Sequence, residues 1–318
     1  MPLLTQKALV LAKIETTTGV DSSPSASTDA FLCENPVFTV NLTNLERNFA
    51  RPDFSQYPSR IGRRLAQLQF TLQLAGSGVA DTVPTWADPL FRACAMKKTT
   101  VAAVTGPPAV AAHMNYTPIT TGQESVTIYV YYEGLLHKML GCMGTWSMDA
   151  MAGQYATLTF NFTGTYTTPL DDTFPASPVL QDVVPPQCEL ANLKYGADAT
   201  LVVESVKVDI ANNVVPRDDI NSANGFKATR IAGRNPVGGF NPEAEESNVF
   251  WANMEASTLV ALTLDFGSTA GNHMSFSATK TQILGIQYQD RNNLRAFDLS
   301  LAFRRDAAGD DEMTITFW

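Results

Sequence analysis

The stretch Gln67-Leu68-Gln69-Phe70-Thr71-Leu72-Gln73-Leu74 alternates without a break. Successive side chains of an extended chain point to opposite faces. Leu68, Phe70, Leu72 and Leu74 therefore share one face, and Gln67, Gln69, Thr71 and Gln73 the other. A helix would scatter the same residues around its circumference, so the stretch reads as a half-buried strand. The period recurs in Val126, Ile128 and Val130. It recurs again in Leu158, Phe160 and Phe162, with Thr157, Thr159, Asn161 and Thr163 opposite. Val206, Val208 and Ile210 follow, then Val260, Leu262, Leu264 and Phe266, then Phe297, Leu299, Leu301 and Phe303. Met313, Ile315 and Phe317 make the C-terminus a strand too. One-sided alternation of this kind marks antiparallel sheets.

Two short helices interrupt the strands. Asp88 reads as an N-cap with Pro89 at the first helical position, and Leu90, Phe91 and Cys94 as the buried stripe. Ser247 reads as the cap of a second helix through Phe250, Trp251 and Met254. The expected class is mainly β, antiparallel, with a short flanking helix in each half.

The organisation is twofold. Residues 169–186 hold five prolines, Pro169, Pro175, Pro178, Pro185 and Pro186, which a central strand does not tolerate. Before them come a strand near 36–49, an extended Arg51-Pro52 loop, a strand at 65–74, a helix at 88–96, a strand at 124–132 and a pair within 136–165. After them come a strand at 200–211, a Pro216-Arg217 loop, a strand near 225–234, a helix at 247–255, a strand at 258–266 and a pair within 273–304. The matching order implies an internal duplication. The expected division is an N-terminal arm (1–35), a first domain (36–168), a Pro-rich linker (169–199) and a second domain (200–318). The segment 97–123, with Gly106-Pro107-Pro108, and the linker read as long loops that order when copies of the chain meet.

Composition narrows the function. The 318 residues carry 22 Lys and Arg against 31 Asp and Glu, a formal charge of −9. Gripping nucleic acid requires Lys and Arg to displace counterions from phosphate, so that class is disfavoured. There is no apolar run long enough to span a membrane, and the N-terminus lacks the basic start and cleavage site of a signal peptide. Cys33, Cys94, Cys142 and Cys188 have no metal-ligand spacing and read as reduced thiols. His113, His137 and His273 have no carboxylate, cysteine or second histidine at ligand spacing. Gly76-Ser77-Gly78 reads as a turn, and Asp171-Asp172 and Asp310-Asp311-Glu312 as solvated acidic turns. Arg60, Arg63 and Arg64 form the basic cluster, suited to phosphate or to a carboxylate of a neighbouring subunit. No nucleophile or acid–base pair is visible, so the chain reads as no enzyme, with no catalytic, metal or cofactor site.

A series of short blocks then stands in an order that resembles the tail tube proteins of bacteriophages with long, non-contractile tails. It runs from Lys13-Ile14-Glu15-Thr16-Thr17-Thr18-Gly19-Val20-Asp21 through Glu46-Arg47-Asn48, Arg51-Pro52 and Gly62-Arg63-Arg64. Leu74-Ala75-Gly76-Ser77-Gly78, Pro89-Leu90-Phe91-Arg92-Ala93-Cys94, Tyr116-Thr117-Pro118 and Gln123-Glu124-Ser125-Val126-Thr127-Ile128 follow. Gly134-Leu135-Leu136-His137-Lys138, Gly141-Cys142-Met143-Gly144-Thr145, Ala152-Gly153-Gln154 and Phe160-Asn161-Phe162-Thr163-Gly164 complete it. The resemblance covers residues 13–169, about half of the chain. It implies two tail-tube-type β-sandwich or barrel domains whose sheets join those of neighbours into an inner barrel, and rings that stack into a tube.

The resemblance also implies partners. The chain would assemble with itself, three copies giving a ring of pseudo-sixfold symmetry, with a hexamer as alternative. A tape-measure protein would occupy the bore, and tail terminator and distal tail proteins the ends. DNA would pass without specific binding. The polar strand faces, Gln67, Gln69, Thr71 and Gln73 in one sheet and Thr157, Thr159, Asn161 and Thr163 in another, are the expected bore-facing residues. The arm at 1–30 and the loop at 97–123 are the expected stacking elements. A secretion-system tube ring, or a monomeric β-sandwich binding module using Tyr129, Tyr131 and Tyr132, are the alternatives.

Overall fold

A computed structural model describes residues 6–105, 110–247 and 249–318. The alternating runs fold as strands in it. The first half contains β1 (Ala8–Ile14), β2 (Ala30–Phe31), β3 (Glu34–Leu45), β4 (Arg60–Gln73), α1 (Ala87–Ala93), β5 (Met96–Val101), β6 (His113–Pro118), β7 (Val126–Tyr132), β8 (Leu135–Met151) and β9 (Thr157–Tyr166). Two short strands follow, β10 (Leu170–Asp171) and β11 (Lys194–Tyr195). The second half contains β12 (Val203–Asp209), β13 (Asn212–Asp218), β14 (Phe226–Arg234), β15 (Val237–Pro242), α2 (Val249–Glu255), β16 (Val260–Thr269), β17 (Asn272–Arg291), β18 (Leu294–Phe303) and β19 (Thr314–Phe317).

The same pairing pattern occurs twice. In the first half β7 pairs with β1 and β8, β8 with β9 and β10, and β4 with β9 and β3. In the second half β16 pairs with β11 and β17, β17 with β18 and β19, and β15 with β18 and β12. All of these pairs are antiparallel. The helix falls between β4 and β7 in one half and between β15 and β16 in the other. The two patterns are joined where β12 pairs with β8. One eight-stranded path therefore runs β3-β4-β9-β8-β12-β15-β18-β17, four strands from each half.

β8 and β17 each serve two layers. Their first portions pair with β7 and β16, and their later portions with β9 and β18. A bulge lies close to each change-over, at Gly141-Cys142 in β8 and at Leu284 in β17. Bulges bend and twist a strand, which lets it pass from one layer to the next. The core lies between the layers. Val10, Val126, Ile128 and Val130 from one layer pack with Leu68, Phe70, Leu158 and Phe160 from the other. Phe91 of α1 fills the gap, with its ring centroid 5.7 Å from Trp146 and 5.8 Å from Phe160.

Several expectations need correction. The segment 97–123 is no open loop. It carries the β5–β6 hairpin, whose β6 also pairs with C-terminal β19. Gly106-Pro107-Pro108 lies outside the described residues, as do residues 1–5. Much of the supposed arm is docked, since β1 pairs with β7 along its whole length and buries Leu9, Val10, Leu11 and Ala12. Asp88 is not an N-cap. The helix begins one residue earlier, at Ala87, and Asp88 lies inside its first turn, where it pairs with Arg92 at 2.9 Å. Pro216-Arg217 belongs to strand β13, opposite Thr229 and Ala228. β13 is an edge strand, where a missing N–H costs little.

Gly76-Ser77-Gly78 is a turn, and it has a structural task between the halves. The Gly76 N–H donates to Asn272 Oδ1 at 2.9 Å, and the Gly78 N–H to the Gly271 carbonyl at 2.9 Å. A Cβ on Gly76 would lie 2.1 Å from the Gly271 carbonyl oxygen, so only glycine permits this approach. Gly76→Ala is expected to cost about 1–3 kcal/mol by forcing the turns apart. Urea denaturation checks this, with a lower midpoint at unchanged slope as the expected result.

Candidate assembly surface

The eight polar residues singled out by alternation stand together. Gln67 faces Thr163, Gln69 faces Asn161, Thr71 faces Thr159 and Gln73 faces Thr157 across the β4–β9 pair. They belong to adjacent strands of one sheet and not to two sheets, a correction that makes the polar face continuous. Gln67, Gln69, Gln73 and Asn161 are exposed, and the four threonines are half-buried. Thr71 and Thr159 hydroxyls lie 3.1 Å apart, and Asn41 Nδ2 donates to Gln67 Oε1 at 2.7 Å. These eight residues are uncharged, and Gln73 Nε2 donates to Glu34 Oε1 at 2.7 Å. The row continues through Thr145, Ser147 and Asp149 of β8, and Lys207 of β12 stands opposite Asp149 with its amine 3.7 Å from the carboxylate.

Sequence reasoning found this face because a two-residue period is visible without neighbours. It could not see that β4 and β9, more than eighty residues apart, are partners.

The basic cluster at Arg60, Arg63 and Arg64 is not free to hold phosphate as a unit. Arg63 pairs with Asp218 of β13 at 3.0 Å, a carboxylate of the same chain. Arg64 is tied through its backbone, whose N–H donates to the Asn224 carbonyl, and not through its guanidinium. The acidic run at 310–312 is likewise a clamp and not merely a solvated turn. Arg234 pairs with Asp310 and Glu312, and donates to the Ile119 carbonyl at 3.1 Å. The Thr120 hydroxyl closes on Asp310 at 2.7 Å. These bonds fix the β13–β14 hairpin of the second half to the β6–β7 loop of the first.

The N-terminal segment is held by two carboxylates. Glu15 is buried and accepts bonds from the Ser125 hydroxyl (2.6 Å), the Thr127 hydroxyl (2.8 Å), the Gly19 N–H (2.7 Å) and the Gly141 N–H (2.8 Å). Asp21 accepts from the Tyr129 hydroxyl at 2.5 Å and from Lys138 at 3.1 Å. Burial by itself would raise the Asp21 pKa. The bonds from Tyr129, Ser23 and Lys138 outweigh it and hold the carboxyl below its usual 3.8. A depressed carboxyl stabilises the fold above its unfolded pKa and loses that contribution as pH falls through the folded value. Asp21→Asn is therefore expected to be less stable than wild type at pH 7, with the gap closing below about pH 4. Thermal melts of both proteins across pH 2–7 (roughly the span of carboxyl titration) check it.

The tyrosines on β7 are no open platform. Tyr129 and Tyr131 are buried, with hydroxyls on Asp21 and Asp172, and the Tyr132 hydroxyl donates to the Pro36 carbonyl. His137 lies with its ring 4.5 Å from Phe38, while His113 and His273 flank Trp318 at 4.4 and 5.6 Å. Burial, helped by the charge of Glu34, pushes the Cys33 thiol up to about 12, and burial raises Cys94 and Cys142 as well. Among the described residues, no three His, Cys, Asp or Glu side chains are grouped to hold a metal, and no helix is long and apolar enough to cross a membrane.

Among the described residues, the eight-stranded path is open at both ends. β3 pairs with β4 alone, and the later part of β17, past Thr281, with β18 alone. Exposed apolar residues crowd the distal end of the β3–β4 hairpin: Leu42, Leu45, Phe49, Phe54, Tyr57 and Ile61. An open edge beside exposed apolar side chains is a template for another chain.

No curated protein matches the sequence. The family model described as phage tail tube protein matches residues 5–316, nearly the whole chain. That family is structural and not enzymatic, and its place is the virion tail. A mainly β chain with a continuous polar sheet face and unpaired sheet edges, matched from end to end, belongs to the phage tail tube protein family.

Proposed function

We propose that three copies of this chain close into a ring, that rings stack into the tail tube, and that the genome passes through the bore during ejection. The family match carries the tube. The repeated pairing pattern supports two copies of one domain per chain, and hence pseudo-sixfold symmetry from three chains. Head-to-tail contacts that close give rings, and the same logic along the axis gives a filament.

Gln67, Gln69, Thr71, Gln73, Thr157, Thr159, Asn161 and Thr163 line the bore in this reading. A wall of Lys and Arg would condense DNA phosphates and hold the genome through counterion release. A neutral amide and hydroxyl wall on a chain of net charge −9 lets it slide. A tape-measure protein fills the bore before ejection, and terminator and distal tail proteins cap the ends. Assembly takes place in the host cytoplasm, and no sheath surrounds the tube.

Negative-stain electron microscopy of the purified protein tests the reading. Rings or tubes are expected. Single compact particles at every concentration would overturn it.

A further inference from the structure

The joint between β8 and β12 inside the chain has a missing counterpart. The pairing pattern equates β12 with β3, since each is the outer partner of β15 or β4. It equates β8 with β17, since each carries the bulge and pairs with β9 or β18. Within one chain β12 sits on β8, but β3 and the later part of β17 are both open. We propose that β3 of one copy pairs antiparallel with β17 of the next copy, repeating the internal joint between chains. The proposal rests on the ring reading and names the edges and register that close it.

The register follows from residue equivalences. Trp146 pairs with Phe160, and both rings meet Phe91 of α1. Tyr288 pairs with Phe297, and both rings meet Trp251 of α2, at 6.0 and 6.5 Å. Trp146 thus corresponds to Tyr288. The bulges agree independently, since Met143 and Gly285 each follow one directly. On the other strand, Phe38 pairs with Leu68 as Val206 pairs with Phe240, so Phe38 corresponds to Val206. The internal joint pairs Lys207 with Asp149, Val208 with Met148 and Asp209 with Ser147. Its counterpart between chains pairs Thr39 with Arg291, Val40 with Asp290 and Asn41 with Gln289.

Burial differs between the two sites as this predicts. Val206, Val208 and Ile210 are buried in the internal joint, whereas Phe38 and Val40 are half-buried and Leu42 is 46% exposed. The Ile210 N–H donates to the Trp146 carbonyl at 3.3 Å. Its equivalent brings Leu42 onto Tyr288, itself 56% exposed. The hairpins extend the match. The β13–β14 hairpin crosses the first half with Phe226, Ala228 and Ile231 buried, and Thr229 donates to the Gly141 carbonyl beside the β8 bulge. The distal β3–β4 hairpin carries exposed Leu45, Phe54 and Ile61, and the β17 bulge carries exposed Leu284. With eight strands per chain, three chains make a closed barrel of about 24 strands, about 37 Å across at a strand spacing near 4.8 Å before tilt widens it.

The test is cysteine cross-linking of the full chain in two double variants, T39C/R291C and V40C/D290C, with each single variant as control. Facing residues of an antiparallel pair have Cα atoms about 4.5–5.5 Å apart, within disulfide reach. On oxidation, at least one double variant is expected to give covalent dimers and trimers on non-reducing gels while the singles run as monomers. L42D is expected to keep the circular dichroism of the wild type and to weaken assembly at least tenfold by sedimentation. Rings by electron microscopy, with no pair-dependent cross-link and normal assembly of L42D, would overturn the joint and leave the ring reading standing. A wild-type chain that sediments only as a monomer would overturn both.

Discussion

Glu15→Ala is expected to destabilise the chain by about 3–5 kcal/mol, a large share of a typical domain's stability. The carboxylate gathers four donors that have nowhere else to go. Ser125, just before β7, and Thr127 on it are buried, and the Gly141 N–H sits at the β8 bulge. Removing the acceptor strands a buried backbone N–H and two hydroxyls at the meeting point of β1, β7 and β8. Glu15→Gln restores one acceptor oxygen but sets an amide donor against donors, so it is expected to fall between. Chemical denaturation of the three proteins gives the ranking. Equal midpoints for Glu15→Ala and wild type would show that the bonds to this carboxyl contribute nothing to stability.

Replacing Gln67, Gln69 and Asn161 together by lysine is expected to leave folding and assembly intact and to hinder passage of DNA strongly. These side chains are exposed, so each substitution changes stability by about 0.5 kcal/mol or less. Along a tube the lysines recur in every ring. Each phosphate contact adds about −0.9 to the slope of log affinity against log salt, so affinity climbs steeply at low salt. Assembled tubes should then retain DNA in a salt-dependent manner, and phage carrying the variant should eject it on the order of 100-fold less efficiently. Wild-type ejection by the variant would remove this face from the bore.

How much of this was legible in the sequence varies by element. Strands such as β4 and β9 declare themselves because one face is core and the other is not. The β5–β6 hairpin does not, since Lys97, Lys98, Thr99 and Thr100 on β5 give no apolar period. β15 is silent for a different reason. Gly238 and Gly239 carry no side chain to show a period, yet the strand requires them, because a Cβ would lie 2.6 Å from the Lys207 carbonyl at Gly238 and 2.7 Å from the Leu299 carbonyl at Gly239. The β13 strand hid behind Pro216, which an edge tolerates. The polar set at 67–73 and 157–163 was visible as two patterns, while their union depends on long-range pairing that no local signal encodes. The Arg234 clamp on Asp310 and Glu312 was invisible for the same reason. Its acids read as a solvated turn until the arginine, more than seventy residues earlier, is brought beside them.

The most direct test is a cryo-EM map of the assembled protein at a resolution that separates strands. The expected map shows three chains per ring, sixfold in outline, with Gln69 and Asn161 facing the bore. A ring of six chains, or the same residues facing the outer wall, would contradict the account.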